Sequence, residues 1–148
     1  MTVNEICEHI TKLKCNTKKI GKSKIILISG DLHRELGLKN TNFVNPTGLD
    51  AENHYSTAYD MALLSVYANK NSTYKKISNT KTFSAKSNNK TYLWYNRNKL
   101  LQQYEYCTGG KNGYTPNAGK TLVSTATKDS LILTIITLND SDCYRTHK

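Results

Sequence analysis

An α+β domain, an antiparallel sheet with flanking helices, is predicted from three observations. Two apolar, β-branched runs at residues 121–127 and 131–138 are parted only by Lys128-Asp129-Ser130, which is the spacing of a hairpin. Ahead of them, Gly109-Gly110-Lys111-Asn112-Gly113-Tyr114-Thr115 reads as a strand, residues 110–115 completing a three-stranded antiparallel set. Residues 58–68 instead carry apolar side chains at helical spacing behind Ser56 and Thr57, both good N-caps.

A chain of 148 residues is about one domain, and 37% hydrophobic content with a mean hydropathy of -0.60 allows a modest core. The net charge of +10 and pI near 9.4 suit an anionic partner. The lysines are scattered rather than blocked, however, and no RNA- or DNA-reading signature is present, so no nucleic-acid partner is expected. Cys7, Cys15, Cys107 and Cys143 lack zinc or redox spacing and read as free thiols; no metal and no cofactor is expected. Residues 1–8 carry acids where a signal peptide needs basic residues, which predicts a chain not addressed for export. No stretch approaches the roughly 20 apolar residues of a transmembrane helix.

In chain order, Val3, Ile6, Cys7, Ile10 and Leu13 predict a short amphipathic helix over residues 3–14. A basic turn at residues 18–22 and a β-branched strand at 24–29 follow. Asn45-Pro46-Thr47-Gly48 is a turn, and residues 50–55 are a loop. In the next helix Asp60 stands three residues after Thr57, close to a capping box. Ala58, Met61, Ala62, Leu64 and Ala68 make its apolar face, with Tyr59 and Tyr67 flanking, and it ends near Asn69. Residues 76–83 and 90–95 alternate as two strands of a ribbon, and residues 96–103 carry Leu100 and Leu101 into the core. Residues 139–148 read as a polar tail with nothing apolar to bury.

Glycines on both sides of Lys111 suggest a strand that a ligand can approach closely, with the lysine offering positive charge to an anionic group. His9 and His33 have no ligand-spaced neighbours and are not read as functional.

Four stretches carry a family resemblance: residues 36–49 (Leu36-Gly37-Leu38 through Asn45-Pro46-Thr47-Gly48-Leu49), residues 54–62 (His54-Tyr55-Ser56-Thr57-Ala58-Tyr59-Asp60-Met61-Ala62), Asn96-Arg97-Asn98-Lys99-Leu100-Leu101, and residues 109–115. In this order they resemble the serine-type D-alanyl-D-alanine carboxypeptidases, the low-molecular-mass penicillin-binding proteins, over roughly residues 35 to 142. The resemblance implies a partial β-lactamase/transpeptidase-like domain. It implies that Lys111 faces the substrate's C-terminal carboxylate and the catalytic proton network, that Gly113 lets the peptide lie against the strand, and that the Tyr114 N–H is one arm of an oxyanion hole, with Thr115 beside it. The partners implied are a peptidoglycan stem peptide or a β-lactam.

Two departures matter. The family's Lys-Thr-Gly motif is Lys111-Asn112-Gly113 here, so an amide replaces a hydroxyl and weaker substrate binding is expected. The family's Ser-x-x-Lys nucleophile motif should precede the Leu36 stretch, and the roughly 35 residues there do not resemble the family. Ser72-Thr73-Tyr74-Lys75 fits the pattern but falls in what reads as a polar connector downstream, Ser87-Asn88-Asn89 fits Ser-x-Asn only inside a loop, and Ser29-Gly30-Asp31 only approximates the Ser-Gly-Asn form. Without an activated serine there is no acyl-enzyme.

The expectation is therefore an unrecognised segment, 1–35, joined to a truncated carboxypeptidase domain, 36–148, inactive alone. The alternative is a non-catalytic module binding a wall peptide or a protein. Parent enzymes work outside the cytoplasm at the membrane, whereas this chain, lacking a signal peptide, is expected in the cytoplasm. A sheet with one face incompletely covered is expected to be marginally stable or to self-associate.

Overall fold

A computed structural model describes residues 16–20, 23–27 and 35–148, in two units, Met1–Leu64 and Ser65–Lys148. The helix expected over residues 3–14 lies outside the described residues, as do His9, His33, Ser29-Gly30-Asp31, Cys7 and Cys15.

In the first unit, β1 (Asn16–Ile20) and β2 (Ser23–Leu27) form an antiparallel hairpin with Ile20 opposite Ser23. Residues 18–20, expected in a turn, therefore belong to a strand; the reversal falls after Ile20, and pairing with the β-branched run overrides the local lysine signal. Helix α1 (Ala58–Ala68) starts where expected, the Asp60 N–H donating to Thr57 Oγ1 at 3.2 Å. Its apolar face is only partly buried. Ala58 is exposed and Met61, Ala62 and Leu64 are half-buried, while Asp60 is only 1% exposed. Asp60 Oδ2 accepts from the Asn40 N–H (2.8 Å) and Thr41 Oγ1 (2.7 Å), so this carboxylate ties the 36–41 segment to the helix instead of closing a capping box.

The second unit is built on a sheet of order β5-β6-β7, all antiparallel: β5 (Cys107–Thr115), β6 (Gly119–Lys128) and β7 (Leu131–Thr137). The three strands foreseen are present, with β5 starting three residues earlier than expected and a register shift between Cys107 and Gly109. Helix α2 (Ser72–Asn79) was not foreseen. Asn71 caps it by accepting the Tyr74 N–H at 3.0 Å, and this local bond overrides the alternation that placed a strand from residue 76. The ribbon strands are β3 (Thr82–Lys86) and β4 (Thr91–Tyr95), a separate two-stranded sheet.

Leu100 and Leu101, on the short helix α3 (Leu100–Gln103), join Cys107, Leu122 and Cys143 in the core, with Tyr104 and Tyr144 against it. The C-terminal residues are not a free polar tail. They form helix α4 (Cys143–Thr146), whose Cys143 is 4% exposed, and the adjacent His147 is 3% exposed. His147 Nδ1 lies 2.7 Å from Ser124 Oγ on β6 and its Nε2 3.0 Å from Thr137 Oγ1 on β7. One imidazole thus bonds two strands and holds the end of the chain to the sheet.

Burial lowers the His147 pKa from its usual value near 6.5, opposed only by the nearby Asp140 carboxylate. The folded state therefore resists a proton that the unfolded chain accepts. Stability is complete above about pH 6.5 and falls as pH drops through that value toward the lowered folded one. Urea midpoints measured from pH 7.5 to 5.5 should decline, and His147→Gln should flatten that decline; the same slope in both proteins would refute the assignment.

Part of the sheet's apolar surface is exposed. Leu131, Ile132 and Leu133 on β7 are 59%, 59% and 49% exposed, and no described strand pairs with the outer edge of β7.

Candidate functional site

The candidate site is the outer edge of β5. Register sets Lys111 opposite Val123, Asn112 opposite Leu122, Gly113 opposite Thr121 and Tyr114 opposite Lys120. Side chains alternate along a strand, so Lys111, Gly113 and Thr115 share one face with Thr121 and Val123, while Asn112 and Tyr114 share the other with Leu122.

The direction of the backbone groups follows from β6. Lys128 and Leu131 pair across the two-residue turn to β7, and the Lys120 carbonyl accepts from the Asp140 N–H at 3.0 Å beyond the other end of β7. Even-numbered residues of β6 thus hydrogen-bond toward β7 and odd-numbered ones toward β5, as the Thr127 N–H to Tyr106 carbonyl bond (2.8 Å) also requires. On β5 the odd residues Lys111 and Gly113 bond inward, and Asn112 and Tyr114 point their N–H and C=O groups away from β6. The Lys111 Nζ bonds the Asn112 carbonyl, which is open on that side. Among the described residues no strand pairs with this edge.

Of the five candidate residues, Lys111 and Tyr114 (71%) are exposed, and Asn112, Gly113 and Thr115 are half-buried. Thr115 Oγ1 accepts from the Ala118 N–H at 3.0 Å, which gives it a part in the β5–β6 turn.

The glycines have structural causes that the sequence did not disclose. A Cβ on Gly109 would meet Ser78 Oγ of α2 at 2.6 Å, one on Gly110 the Val123 carbonyl oxygen at 2.1 Å, and one on Gly113 Thr121 Oγ1 at 2.7 Å. Close approach occurs here, but it is by the chain's own elements.

On the Lys111 face, farther along the sheet, α2 and the strands border a cleft of about 400 Å³ lined by Lys75, Lys76, Asn79, Thr108, Thr125 and Thr127, among others. Asn98, within the Asn96-Arg97-Asn98 stretch, is buried at 1%. Its side chain accepts from the Leu100 N–H (3.1 Å) and reaches the Gly109 carbonyl (3.5 Å), fixing the entry to β5.

Two other groups could pass for nucleophiles. Ser124 lies 2.7 Å from an imidazole but is 3% exposed, so it cannot meet a substrate. Burial raises the Cys107 thiol pKa against the lowering effects of the Gly109 backbone and the Lys81 charge, and the thiol packs in the core. Ser72-x-x-Lys75 begins a helix, not the connector expected, and Ser72 is exposed; it still follows residues 54–62 in the chain.

The family described as D-alanyl-D-alanine carboxypeptidase matches residues 24–142, beginning ahead of the stretch at Leu36. D-alanyl-D-alanine carboxypeptidase DacF of Bacillus subtilis is 34% identical over 140 residues, 88% of this chain and 36% of the relative. DacA of Escherichia coli K12 is 37% identical over 103 residues, 66% of this chain and 24% of the relative. The crystal structure of the Streptomyces K15 DD-transpeptidase superposes with a TM-score of 0.70 at 29% identity, covering 80% of this chain and 50% of that one. A D-alanyl-D-alanine carboxypeptidase structure from Mycobacterium tuberculosis H37Rv gives 0.66 at 33% identity, covering 71% and 40%. The chain spans no more than half the length of these relatives. A match over residues 24–142, on the same partial antiparallel sheet and helices, places the chain in the D-alanyl-D-alanine carboxypeptidase family.

Proposed function

We propose that this chain supplies one wall of a D-alanyl-D-alanine carboxypeptidase site and does not, as these 148 residues, form an acyl-enzyme. The observation that supports it most is the outward Tyr114 N–H on a β5 edge with which no described strand pairs, beside a Lys111 ammonium that donates to the Asn112 carbonyl. An extended stem peptide ending in a carboxylate could add along that edge as a further strand. Lys111 would meet its charge, Gly113 would present no side chain to it, and the Tyr114 N–H would donate to the oxygen that becomes negative in the tetrahedral intermediate. Asn112 shares the face opposite Lys111, as the family's threonine would, and its larger amide would donate to a carboxylate from a displaced position.

The missing part is the nucleophile. The Ser-x-x-Lys matches, at Ser72, Ser78 and Ser87, all lie on the wrong side of the 36–49 and 54–62 stretches in chain order. The chain then acts as a module that holds a wall peptide without cleaving it.

Fluorescent penicillin decides between cleavage and holding. The purified chain should take no covalent label yet be retained on peptidoglycan, and Lys111→Ala should weaken that retention about tenfold, the loss of one charge-assisted contact. A labelled band would overturn the claim that no serine works here, and loss of that band in Ser72→Ala would name the serine. Unchanged retention in Lys111→Ala would remove the β5 edge from the proposal.

A further inference from the structure

We propose that the β3–β4 ribbon is a peripheral contact for an anionic lipid surface. Its register sets Phe83 opposite Trp94 and Ala85 opposite Tyr92, so these four uncharged residues share one face, with Lys90 Nζ over the Tyr92 ring. Phe83, Tyr92 and Trp94 are 50%, 40% and 51% exposed. On the other face lie Thr82, Ser84, Lys86 and Thr91, with Leu93 and Tyr95 toward the base. The ribbon is held at that base alone among the described bonds, by the Asn96 N–H to the Lys81 carbonyl (2.8 Å) and by Asn96 Nδ2 to the Thr80 carbonyl (3.1 Å).

Charge and ring geometry choose the occupant. Residues 80–96 contain Lys81, Lys86 and Lys90 and no aspartate or glutamate, in a chain whose net charge is already +10. That complements an anionic surface and opposes a second copy of the same ribbon. A sugar chain would need a flat ring face and carboxylate or amide partners on its rim. The rings here stack on one another instead: Tyr92 and Trp94 at 5.5 Å and 9°, Phe83 and Trp94 at 6.0 Å and 25°, with Lys90 Nζ 5.1 Å from the Tyr92 centroid. The ring faces are thus turned toward one another within the stack. Tryptophan, tyrosine and phenylalanine with neighbouring lysines are the composition that sits at a bilayer interface, the lysine stems lying over apolar groups while the ammonium groups reach lipid phosphates.

Trp94 is the only tryptophan in the chain, so its emission reports on this face directly. Titration of the full chain with phosphatidylglycerol/phosphatidylcholine vesicles should shift that emission to the blue, and pure phosphatidylcholine vesicles should bind at least about tenfold more weakly. Lys86→Ser with Lys90→Ser should lose about tenfold in affinity for the anionic vesicles. Phe83→Ser with Tyr92→Ser should lose binding with the thermal melt unchanged, since both side chains are half-exposed.

Any of four results would overturn the proposal. These are no shift with anionic vesicles, vesicle binding without a shift, a shift that follows protein concentration alone as a second copy would produce, and a shift on isolated peptidoglycan but not on vesicles.

Discussion

Gly110→Ala should leave a chain without a cooperative urea transition. A Cβ at this position would stand 2.1 Å from the Val123 carbonyl oxygen, 2.8 Å from Ser124 Cα and 3.0 Å from the Val123 carbonyl carbon, all backbone atoms of the neighbouring strand. No rotamer change relieves a clash with backbone, so either β5 and β6 separate or the ladder re-registers. The φ of +134° adds strain for any residue with a side chain. Together these place the cost near the top of the range for point substitutions, about 4 kcal/mol, against roughly 5–15 kcal/mol for a whole domain. Gly48→Ala is the control. Its φ is +74°, but an added methyl meets nothing within 4 Å, and the cost should be limited to conformational strain of about 1–2 kcal/mol. Equal midpoint shifts for the two variants would show that the β5–β6 contact is not as described.

Leu122→Ala should cost about 3 kcal/mol and lower the melting temperature by about 10 °C. Leu122 is fully buried and is the β6 contribution to a core of five buried residues, with Leu100, Leu101, Cys107 and Cys143 around it. In so small a cluster the cavity has few neighbours able to collapse into it, and every element that meets there, α3, β5, β6 and α4, loses a contact. Leu131→Ala removes the same atoms from a side chain already 59% exposed and should change stability by no more than about 0.5 kcal/mol. A Leu122→Ala melt within 2 °C of the parent protein, an interval of roughly 0.5 kcal/mol at this chain length, would mean that the core lies elsewhere.

The candidate strand was legible because its glycines and lysine stand in an order that resembles a family, and because two strong apolar runs follow it. What could not be read was the reason for the glycines. Gly109 answers to Ser78, 31 residues earlier, and Gly110 to Val123, 13 residues later, contacts with no local signature. The outward direction of the Tyr114 N–H depends on which β6 residues bond β7, a parity fixed by the turn at Asp129-Ser130 and by Asp140 beyond β7. Residues 72–79 were misread because 72–75 look like a polar connector and 76–83 alternate as a strand would, while one side-chain cap at Asn71 is sufficient to start a helix. The polar C-terminal residues were misread because hydropathy treats histidine as solvent-loving, and His147 is buried by two hydroxyl partners from distant strands.

By itself the sequence determined the local elements with strong periodicity or caps, the hairpin from residue 121 onward, the N-terminal cap of α1, and the family motifs with their altered Asn112. These depend on residues a few positions apart, where turn chemistry and side-chain alternation act directly. The tertiary structure alone decided that Asp60 is a buried tie, that His147 clasps two strands, that the glycines clear room for neighbouring elements, and that the aromatic ribbon stands half-exposed. Each of those depends on which distant groups are brought within hydrogen-bond or van der Waals range. That proximity arises from packing the whole unit.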